Sequence, residues 1–381
     1  MLVLLLAGIA PAQDSLNVRS IGRYAARGMV TGVAVSADYA YLACQADSVG
    51  LRVISVADPA HPGEVGHYVP PGAPMDIAVD AGYVYMADGG SGLRVISLAD
   101  PIHPVEVGHC DTPDRAYGVA TAGEYVYVAD RDSGLRVISV VDPAVPVEVG
   151  RLGTPGRARA VAVAGSYAYV ATDTAGLRVI SIADPAHPLE VGHCVTPGQE
   201  CDVAVVGGYA YVAAYGAGLR VISVADPAHP QEVGYCNLQG NATGVALYGD
   251  HIYVSCDFSC MRVVSGADPA HPSEVGHYRN DLVPDQSSAV ACGGGYAFVA
   301  NGPYGLWILE YYAGGVEDNR VPRAADLKPA ATVARRLPVG AVVFDATGRR
   351  TLSPRRGVYF VPEELGTAGT MLRVRKVILQ R

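Results

Sequence analysis

A single stretch recurs throughout this chain, Gly50-Leu51-Arg52-Val53-Ile54-Ser55-Val56-Ala57-Asp58-Pro59-Ala60-His61-Pro62. Its copies follow one another every 42 residues and begin at Gly50, Gly92, Gly134, Gly176, Gly218 and, in degenerate form, Cys260. An eroded seventh copy begins at Gly305. A fixed period of about 40 to 50 residues is typical of a repeat architecture, in which each repeat forms one structural unit. The pattern therefore predicts a repeat domain over residues 18–312.

Each repeat contains four short runs with the composition of β-strands. In the repeat that ends at Cys194, the runs are 160–163, 167–171, 177–182 and 190–194, and Gly, Pro, Asp or Ser separates them. β-Branched and aromatic residues favour strands, and the separating residues favour turns. No apolar stripe of helical period is present, and the two prolines of each Asp-Pro-Ala-His-Pro segment would interrupt a helix. Four strands in about 42 residues predict an all-β fold, a β-propeller with one blade per repeat.

The number of strands predicts how the ring closes. The first three runs of the repeat occur seven times, whereas the fourth run, Glu-Val-Gly-His-Tyr or a variant, occurs six times after them. An additional run with the same pattern, Ser20 to Tyr24, precedes the first repeat. We expect seven blades, with this N-terminal strand pairing with Leu306 to Glu310 and completing the last blade. Closure of this kind removes an exposed sheet edge.

Composition excludes several classes of function. The 381 residues are 50% hydrophobic and 17% charged, and no apolar run reaches the length of about 18 residues that a spanning helix requires. The net charge is −9, and residues 323–381 alone carry +8, so the preceding residues carry −17. An acidic propeller is not suited to bind the phosphates of nucleic acids. We therefore expect no membrane span, no nucleic-acid partner and a monomer.

The two ends of the chain differ from the repeats. Leu2 to Ala10 is apolar, and Ala10-Pro11-Ala12 matches a cleavage pattern, so residues 1–12 are predicted to be a secretory signal peptide; a wrongly assigned start is the alternative. Residues 313–331 are rich in Gly, Ala, Pro and charge and are predicted to be a linker. The basic excess of residues 323–381 marks a domain boundary, and residues 332–381 are predicted to form a small C-terminal domain.

Cysteine and histidine do not form a recognisable metal site. Nine of the ten histidines occupy two positions of the repeat, one in the Asp-Pro-Ala-His-Pro turn and one in the fourth strand. Six residues of extended chain separate these positions by roughly 20 Å, too far for one ion. Cys256 and Cys260 flank a predicted hairpin turn and could form a disulfide, whereas a Cys-x-x-x-Cys metal site would need a second pair.

Residues that recur in every blade are predicted to serve the fold. Arg52 and its equivalents lie on the third strand, and Glu64 and its equivalents follow 12 residues later, so we expect ion pairs between adjacent strands. The paired tyrosines, such as Tyr39 and Tyr41, project from one face of the second strand and are predicted to pack between blades, with carbohydrate stacking as the alternative.

Function is expected where the repeats differ. The turns between the second and third strands and the connections between blades lie at the same end of the central channel, and carboxylates are frequent in them. The candidate ligand-binding residues at this channel mouth are Asp76, Asp88, Asp130 and Asp202. Closely spaced carboxylates repel one another, and a divalent cation or a basic or polyhydroxylated partner would relieve that repulsion. No catalytic motif is present, so no catalytic residue, no obligatory cofactor and no defined metal ligand is predicted.

Two parts of the chain resemble known families. The recurring Gly-Leu-Arg-Val-Ile-Ser-Val-Ala-Asp-Pro-Ala-His-Pro, with the preceding Tyr-Ala-Tyr-Val-Ala, resembles the LVIVD-repeat family of bacterial surface and secreted β-propellers, except that Ser55 and its equivalents replace an aspartate. The resemblance implies a propeller and export, and it implies no reaction. The segments 341–350, 354–361 and 375–381 resemble the C-terminal sorting domains of type IX secretion substrates. This resemblance implies that residues 332–381 form a small C-terminal β-sandwich; a structural Ig-like module with no sorting role is the alternative.

These observations predict an exported protein, either secreted or located at the cell surface after passage through the outer membrane. It is expected to act as a non-catalytic binding or interaction scaffold for a protein or glycan at the cell surface. Two alternatives remain open at this point: a hydrolase or lyase that uses the acidic channel mouth, and a structural component of the cell envelope.

Overall fold

The computed structural model describes residues 15–45, 50–257, 260–279 and 287–312, together with the backbone of five strands between 332 and 379. The chain divides into two compact units, Met1–Gly314 and Gly315–Arg381. The predicted signal peptide, residues 1–12, and the predicted linker, 313–331, lie outside the described residues. None of the described segments forms a helix that is long and apolar enough to cross a membrane.

The first unit is a seven-bladed propeller of antiparallel four-stranded sheets, as the repeats predict. Strands a to d of each blade follow one another in the sheet, and strand a lies innermost, since the a strands of adjacent blades contact one another. Blades 1 to 3 consist of β3 (Met29–Ser36), β4 (Tyr39–Gln45), β5 (Gly50–Ser55) and β6 (Gly63–Tyr68); β7 (Asp76–Asp80), β8 (Tyr83–Ala87), β9 (Leu93–Ser97) and β10 (Val105–Cys110); β11 (Gly118–Ala122), β12 (Tyr125–Ala129), β13 (Leu135–Ser139) and β14 (Val147–Leu152).

The remaining blades repeat this arrangement. Blades 4 to 6 consist of β15 (Ala158–Ala164), β16 (Tyr167–Thr172), β17 (Gly176–Ser181) and β18 (Leu189–Cys194); β19 (Asp202–Val206), β20 (Tyr209–Ala213), β21 (Leu219–Ser223) and β22 (Gln231–Cys236); β23 (Asn241–Tyr248), β24 (His251–Asp257), β25 (Cys260–Ser265) and β26 (Ser273–Tyr278). Blade 7 contains β27 (Ala289–Gly293), β28 (Tyr296–Ala300) and β29 (Leu306–Tyr311) as strands a to c.

The N-terminal strand closes the ring as predicted. Strand β2 (Val18–Tyr24) pairs with β29 and supplies strand d of blade 7, with Ser20 opposite Leu309 and Tyr24 opposite Leu306. The hydroxyl of Tyr24 donates to Glu64 of blade 1, just as Tyr68 of blade 1 donates to Glu106 of blade 2. The N-terminal strand therefore makes the same contact to the next blade as a strand d from within a repeat.

A short additional strand, β1 (Ser15–Leu16), was not predicted. It pairs with the outer strand of blade 6, with Ser15 opposite Tyr278 and Leu16 opposite His277. The sheet of blade 6 therefore contains five strands.

The hydrophobic core is divided among the seven junctions between neighbouring blades. Alternate residues of strand b face opposite neighbours: Leu42 packs against blade 7 with Phe298, whereas Tyr41 packs against blade 2 with Val84 and Met86. The second tyrosine of each pair is buried at such a junction, which confirms the predicted packing role.

The predicted ion pairs between strands c and d are present in six blades. Arg178 Nη1 lies 3.1 Å from Glu190 Oε1, and the side chain of Arg178 is 9% exposed. In the turns, the Asp58 carboxylate accepts the Ala60 N–H and lies 3.0 Å from Nδ1 of His61, on the exposed rim. Both repeated features therefore hold the blade together.

The second unit contains a mixed sheet whose strands run in the order β30, β34, β33, β31, β32. They are β30 (Thr332–Ala334), β31 (Val343–Phe344), β32 (Arg350–Thr351), β33 (Gly357–Leu365) and β34 (Met371–Leu379). Strands β30 and β34 are parallel, and the other pairs are antiparallel. The second layer that a sandwich requires, and any sorting role, stay predictions.

Candidate functional site

A cavity of about 620 Å³ occupies the end of the channel where the a strands begin. Each of the seven blades contributes to it the residue that stands eight positions before its strand b. These residues are Thr31, Met75, Tyr117, Arg159, Cys201, Thr243 and Ser288. One repeat position therefore supplies a ring of seven side chains, and only threonine occurs in it twice. The variable end of the channel, where function was expected, therefore contains a cavity.

The next position along strand a forms a second ring that is crowded. A Cβ atom on Gly118 would lie 2.7 Å from the Cα of Ala160, and one on Gly32 would lie 3.0 Å from the Cα of Asp76. The neighbouring a strands approach so closely that glycine or alanine is required at most positions of this ring. The exceptions are Asp76 in blade 2 and Asp202 in blade 5, and both line the cavity.

Asp76 and Asp202 bridge their blades to the next ones. Oδ2 of Asp76 accepts the Val119 N–H at 3.0 Å, and Oδ2 of Asp202 accepts the Val245 N–H at 2.8 Å. Burial raises the pKa of Asp76 to about 6. Burial, with a smaller contribution from the charge of Asp76, raises the pKa of Asp202 to about 7. The pKa values of both carboxyl groups are therefore raised toward neutral pH, and the charge of Asp76 acts on Asp202.

Arg159 supplies the positive charge of the cavity. Its guanidinium lies over the Tyr117 ring, 5.7 Å from the ring centre, which is within the range of a cation–π interaction. Among the described residues, no carboxylate oxygen lies within 4.0 Å of the Arg159 nitrogens, although Asp76, Asp202 and Asp257 line the same cavity. The site therefore holds both signs of charge without an ion pair between Arg159 and these carboxylates.

Uncharged polar groups complete the wall of the cavity. Ser287 is 2% exposed, and its Oγ has no hydrogen-bond partner among the described atoms. Gln45 donates to the Pro74 carbonyl at 3.1 Å. Gln199 and Tyr215 also contribute polar groups to the lining, as do the hydroxyl residues of the first ring. Within the described part of the chain, no group of three or more His, Cys, Asp or Glu side chains could hold a metal ion.

Asp88 and Asp130 are not among the lining residues. Both are fully buried: Oδ2 of Asp88 accepts the Gly72 N–H at 2.8 Å, and Asp130 accepts from the Thr112 hydroxyl at 2.8 Å. Each also lies near the Arg of its own strand c, with 3.7 Å between Asp88 Oδ2 and Arg94 Nε. A ligand role for the four aspartates stays a prediction, and the geometry supports it only for Asp76 and Asp202.

In blade 4, Glu200 takes the place of the buried aspartate that blades 2 and 3 contain. Thr172 stands at the position of Asp88 and Asp130, and Glu200 from the following loop accepts hydrogen bonds from the backbone of Thr172 and Leu177 near Arg178. Burial raises the pKa of Glu200 to about 8. Buried carboxylates in these loops therefore belong to the framework around the cavity.

Sequence reasoning did not select several of the lining residues. Arg159 and Asp257 belong to the loops that were expected to form the mouth, but Tyr117 and Ser287 carry no motif. All residues of the first ring stand eight positions before strand b, and a search at this position of each repeat would have identified Tyr117. Ser287 lies one residue before that position and had no signal in the sequence. The pair Cys256 and Cys260 lies opposite in β24 and β25, and the side chain of Cys260 is outside the described residues.

Comparisons with known proteins agree with the fold. A solved structure with the same fold is that of the computationally designed Ika8 protein, at 8% sequence identity and a TM-score of 0.58; the match covers 77% of this chain and 98% of that chain. No curated protein matches this chain. The LVIVD repeat matches residues 27–69, 71–112, 114–154, 155–196, 197–238 and 239–280, which is more than half of the chain. The chain therefore belongs to the LVIVD repeat family.

Proposed function

We propose that this protein is an exported, secreted or surface-attached propeller that acts as a non-catalytic binding scaffold and uses the channel cavity as its ligand site. One observation carries the proposal: the repeat position that contributes a lining residue from all seven blades bears different side chains in almost every blade. Thr31, Tyr117 and Arg159 illustrate the range. A residue that served only the ring would be as uniform as the Arg and Glu of strands c and d.

The environment of the two carboxylates favours binding over catalysis. Asp76 accepts backbone hydrogen bonds from Val119 and Ile77, and Asp202 accepts them from Val245 and Val203. A carboxylate offers about four lone-pair sites, so each retains capacity for a ligand. Their fixed orientation suits a binding group. A hydrolase or lyase is the second candidate, because carboxylic acids with a pKa near neutrality are common in active sites.

The proposal is tested with paired variants of the cavity. In the test protein, Asp76→Asn and Asp202→Asn are combined, and the control is Asp80→Asn, at the exposed far end of the same strand as Asp76. Calcium, spermidine and chitotriose are each added to the wild type and both variants, and thermal unfolding is followed. A ligand of the native state raises the unfolding temperature by mass action.

We expect at least one of these probes to raise the unfolding temperature of the wild type and the control, and to raise that of the double variant by less than half as much. Equal shifts in all three proteins would contradict the cavity as the binding site, as would the absence of any shift. Turnover of a glycoside by the wild type that the double variant lacks would favour the enzyme instead.

A further inference from the structure

The charged groups of the cavity form no ion pairs with one another in the part of the chain that the structure describes. Arg159 contacts the Tyr117 ring, and Asp76 and Asp202 accept backbone N–H groups, so no ion pair in the described residues neutralises any of the three. Burial disfavours the charged forms of Asp76 and Asp202, and a positive group on a ligand would offset that cost. Arg159 lines the same cavity without pairing with either carboxylate, so its guanidinium can accept a negative group of a ligand.

Charges of both signs line consecutive blades of the ring. Tyr117 of blade 3 and Arg159 of blade 4 stand between Asp76 in blade 2 and Asp202 in blade 5. The charge of Asp76 contributes to the raised pKa of Asp202, so the carboxylates act on one region of the channel. A ligand in the cavity therefore has a guanidinium and two carboxyl groups in the same lining.

We propose that the cavity binds a small zwitterion of short-peptide size, with its ammonium group toward Asp76 and Asp202 and its carboxylate on Arg159. Guanidinium binds carboxylate through two parallel hydrogen bonds, and a cavity of about 620 Å³ lies within the range for small-molecule sites. A neutral glycan would leave the charges uncompensated, and a simple cation would leave Arg159 unused. This inference rests on the proposed function, since it names the ligand class for the same cavity.

The experiment uses chemically matched probes on the full chain. Triglycine, N-acetyl-triglycine and triglycine amide are titrated by calorimetry up to about 10 mM, and blocking either end removes one of the two charges. The variants are Arg159→Gln, Arg159→Lys and Asp202→Asn. Arg157→Gln is the control, because Arg157 lies two residues away, is exposed and pairs with Asp132 instead of lining the cavity.

We expect triglycine to bind the wild type and Arg157→Gln equally. Acetylation, amidation, Arg159→Gln and Asp202→Asn should each weaken binding by about tenfold or more, and Arg159→Lys should recover part of the loss because it keeps the charge without the planar fork. If Arg159→Gln does not fold, the blocked peptides still provide the test on the wild type.

Two results would overturn the proposal, and they are distinguishable from failure of the proposed function. If triglycine does not bind the wild type, or binds as well when blocked, the zwitterion is excluded. If calcium, spermidine or chitotriose then still binds in a manner that depends on Asp76 and Asp202, the cavity remains a binding site for another ligand class. If none of these probes binds, both proposals fail.

Discussion

At the scale of the residue, the position of an aspartate in the repeat determines its chemistry. Asp58 lies in an exposed turn, where it holds His61 and the backbone of Ala60. Asp88 is buried within its blade, where it holds the preceding loop through Gly72. Asp202 lies on the channel, where it links two blades and faces the cavity. Only the third position places the carboxylate in the wall of the cavity.

The raised pKa of Asp202 predicts a pH dependence of stability. Its pKa in the folded protein is about 7, compared with about 3.8 for an unperturbed aspartate, so the folded state binds the proton more tightly. Between these pH values the unfolded state releases the proton first. The free energy of unfolding therefore decreases as the pH rises from about 4 to about 7, by roughly 1–3 kcal/mol after allowance for partial solvation.

The measurement is urea unfolding of the wild type and Asp202→Asn from pH 4.5 to pH 8. Asp76, Asp88 and Glu200 also have raised pKa values, so the wild-type curve alone would mix several groups. Subtraction of the variant curve isolates Asp202 together with its electrostatic coupling to Asp76. We expect the wild type to lose its advantage over the variant as the pH rises; a difference that is constant or grows with pH would contradict the burial of this carboxyl group.

At the scale of the element, strand d packs closely against the proline turn of the next blade in every blade except blade 6. A Cβ atom on Gly150 in blade 3 would lie 2.0 Å from the Pro185 carbonyl oxygen, and one on Gly22 in β2 would lie 2.0 Å from the Pro59 carbonyl oxygen. Only glycine permits so close an approach of two backbones.

Blade 7 has no turn between strands c and d, because its strand d comes from the N-terminus. The segment around β1 occupies the corresponding place: Gly276 of blade 6 faces the Leu16 carbonyl oxygen and the Tyr311 ring. Nδ2 of Asn17 donates to the Val275 carbonyl at 2.8 Å. The additional strand thus compensates for the turn that closure removes.

Substitution of Gly22 tests whether the N-terminal strand is a full member of the ring. Gly22→Ala and Gly150→Ala should each lower the free energy of unfolding by about 1–3 kcal/mol, because both added methyl groups collide with a proline carbonyl. The control is Gly63→Ala, whose Cβ would have no atom within 4 Å. Denaturant unfolding measures all three. A Gly22 variant as stable as the control would mean that β2 leaves the ring without cost.

We could predict the strands, the seven blades and the closing strand because every repeat contains the same sequence pattern. The ion pair of Arg178 and Glu190 followed from the twofold periodicity of strands in the same way. Strand β1 could not be predicted, because it compensates for a turn that one blade lacks. The burial of Asp88 and the solitary guanidinium of Arg159 depend on how neighbouring blades meet, which the pattern of one repeat does not contain.

At the scale of the whole molecule, repetition and variation are separated in space. The rim, the blade junctions and the ion pairs of strands c and d repeat almost unchanged, so they account for the stability of the ring. Variation is concentrated around one end of the channel, where Met75, Tyr117 and Arg159 occupy equivalent positions. A scaffold of this kind can change its ligand without a change of fold.

Removal of the second unit tests the proposed export. The chain divides at Gly314, and separate compact units commonly fold independently, so deletion of residues 315–381 should leave the unfolding temperature of the propeller and its ligand binding unchanged. In the native host, the truncated protein should no longer reach the cell surface, because the deleted unit is proposed to direct passage through the outer membrane. Cell fractionation measures this.

A second variant without residues 1–12 should stay in the cytoplasm, whereas the truncated protein should accumulate in the periplasm. Delivery of the truncated protein to the surface would exclude sorting and favour a purely structural module, and unfolding of the truncated propeller would show that its stability depends on the second unit.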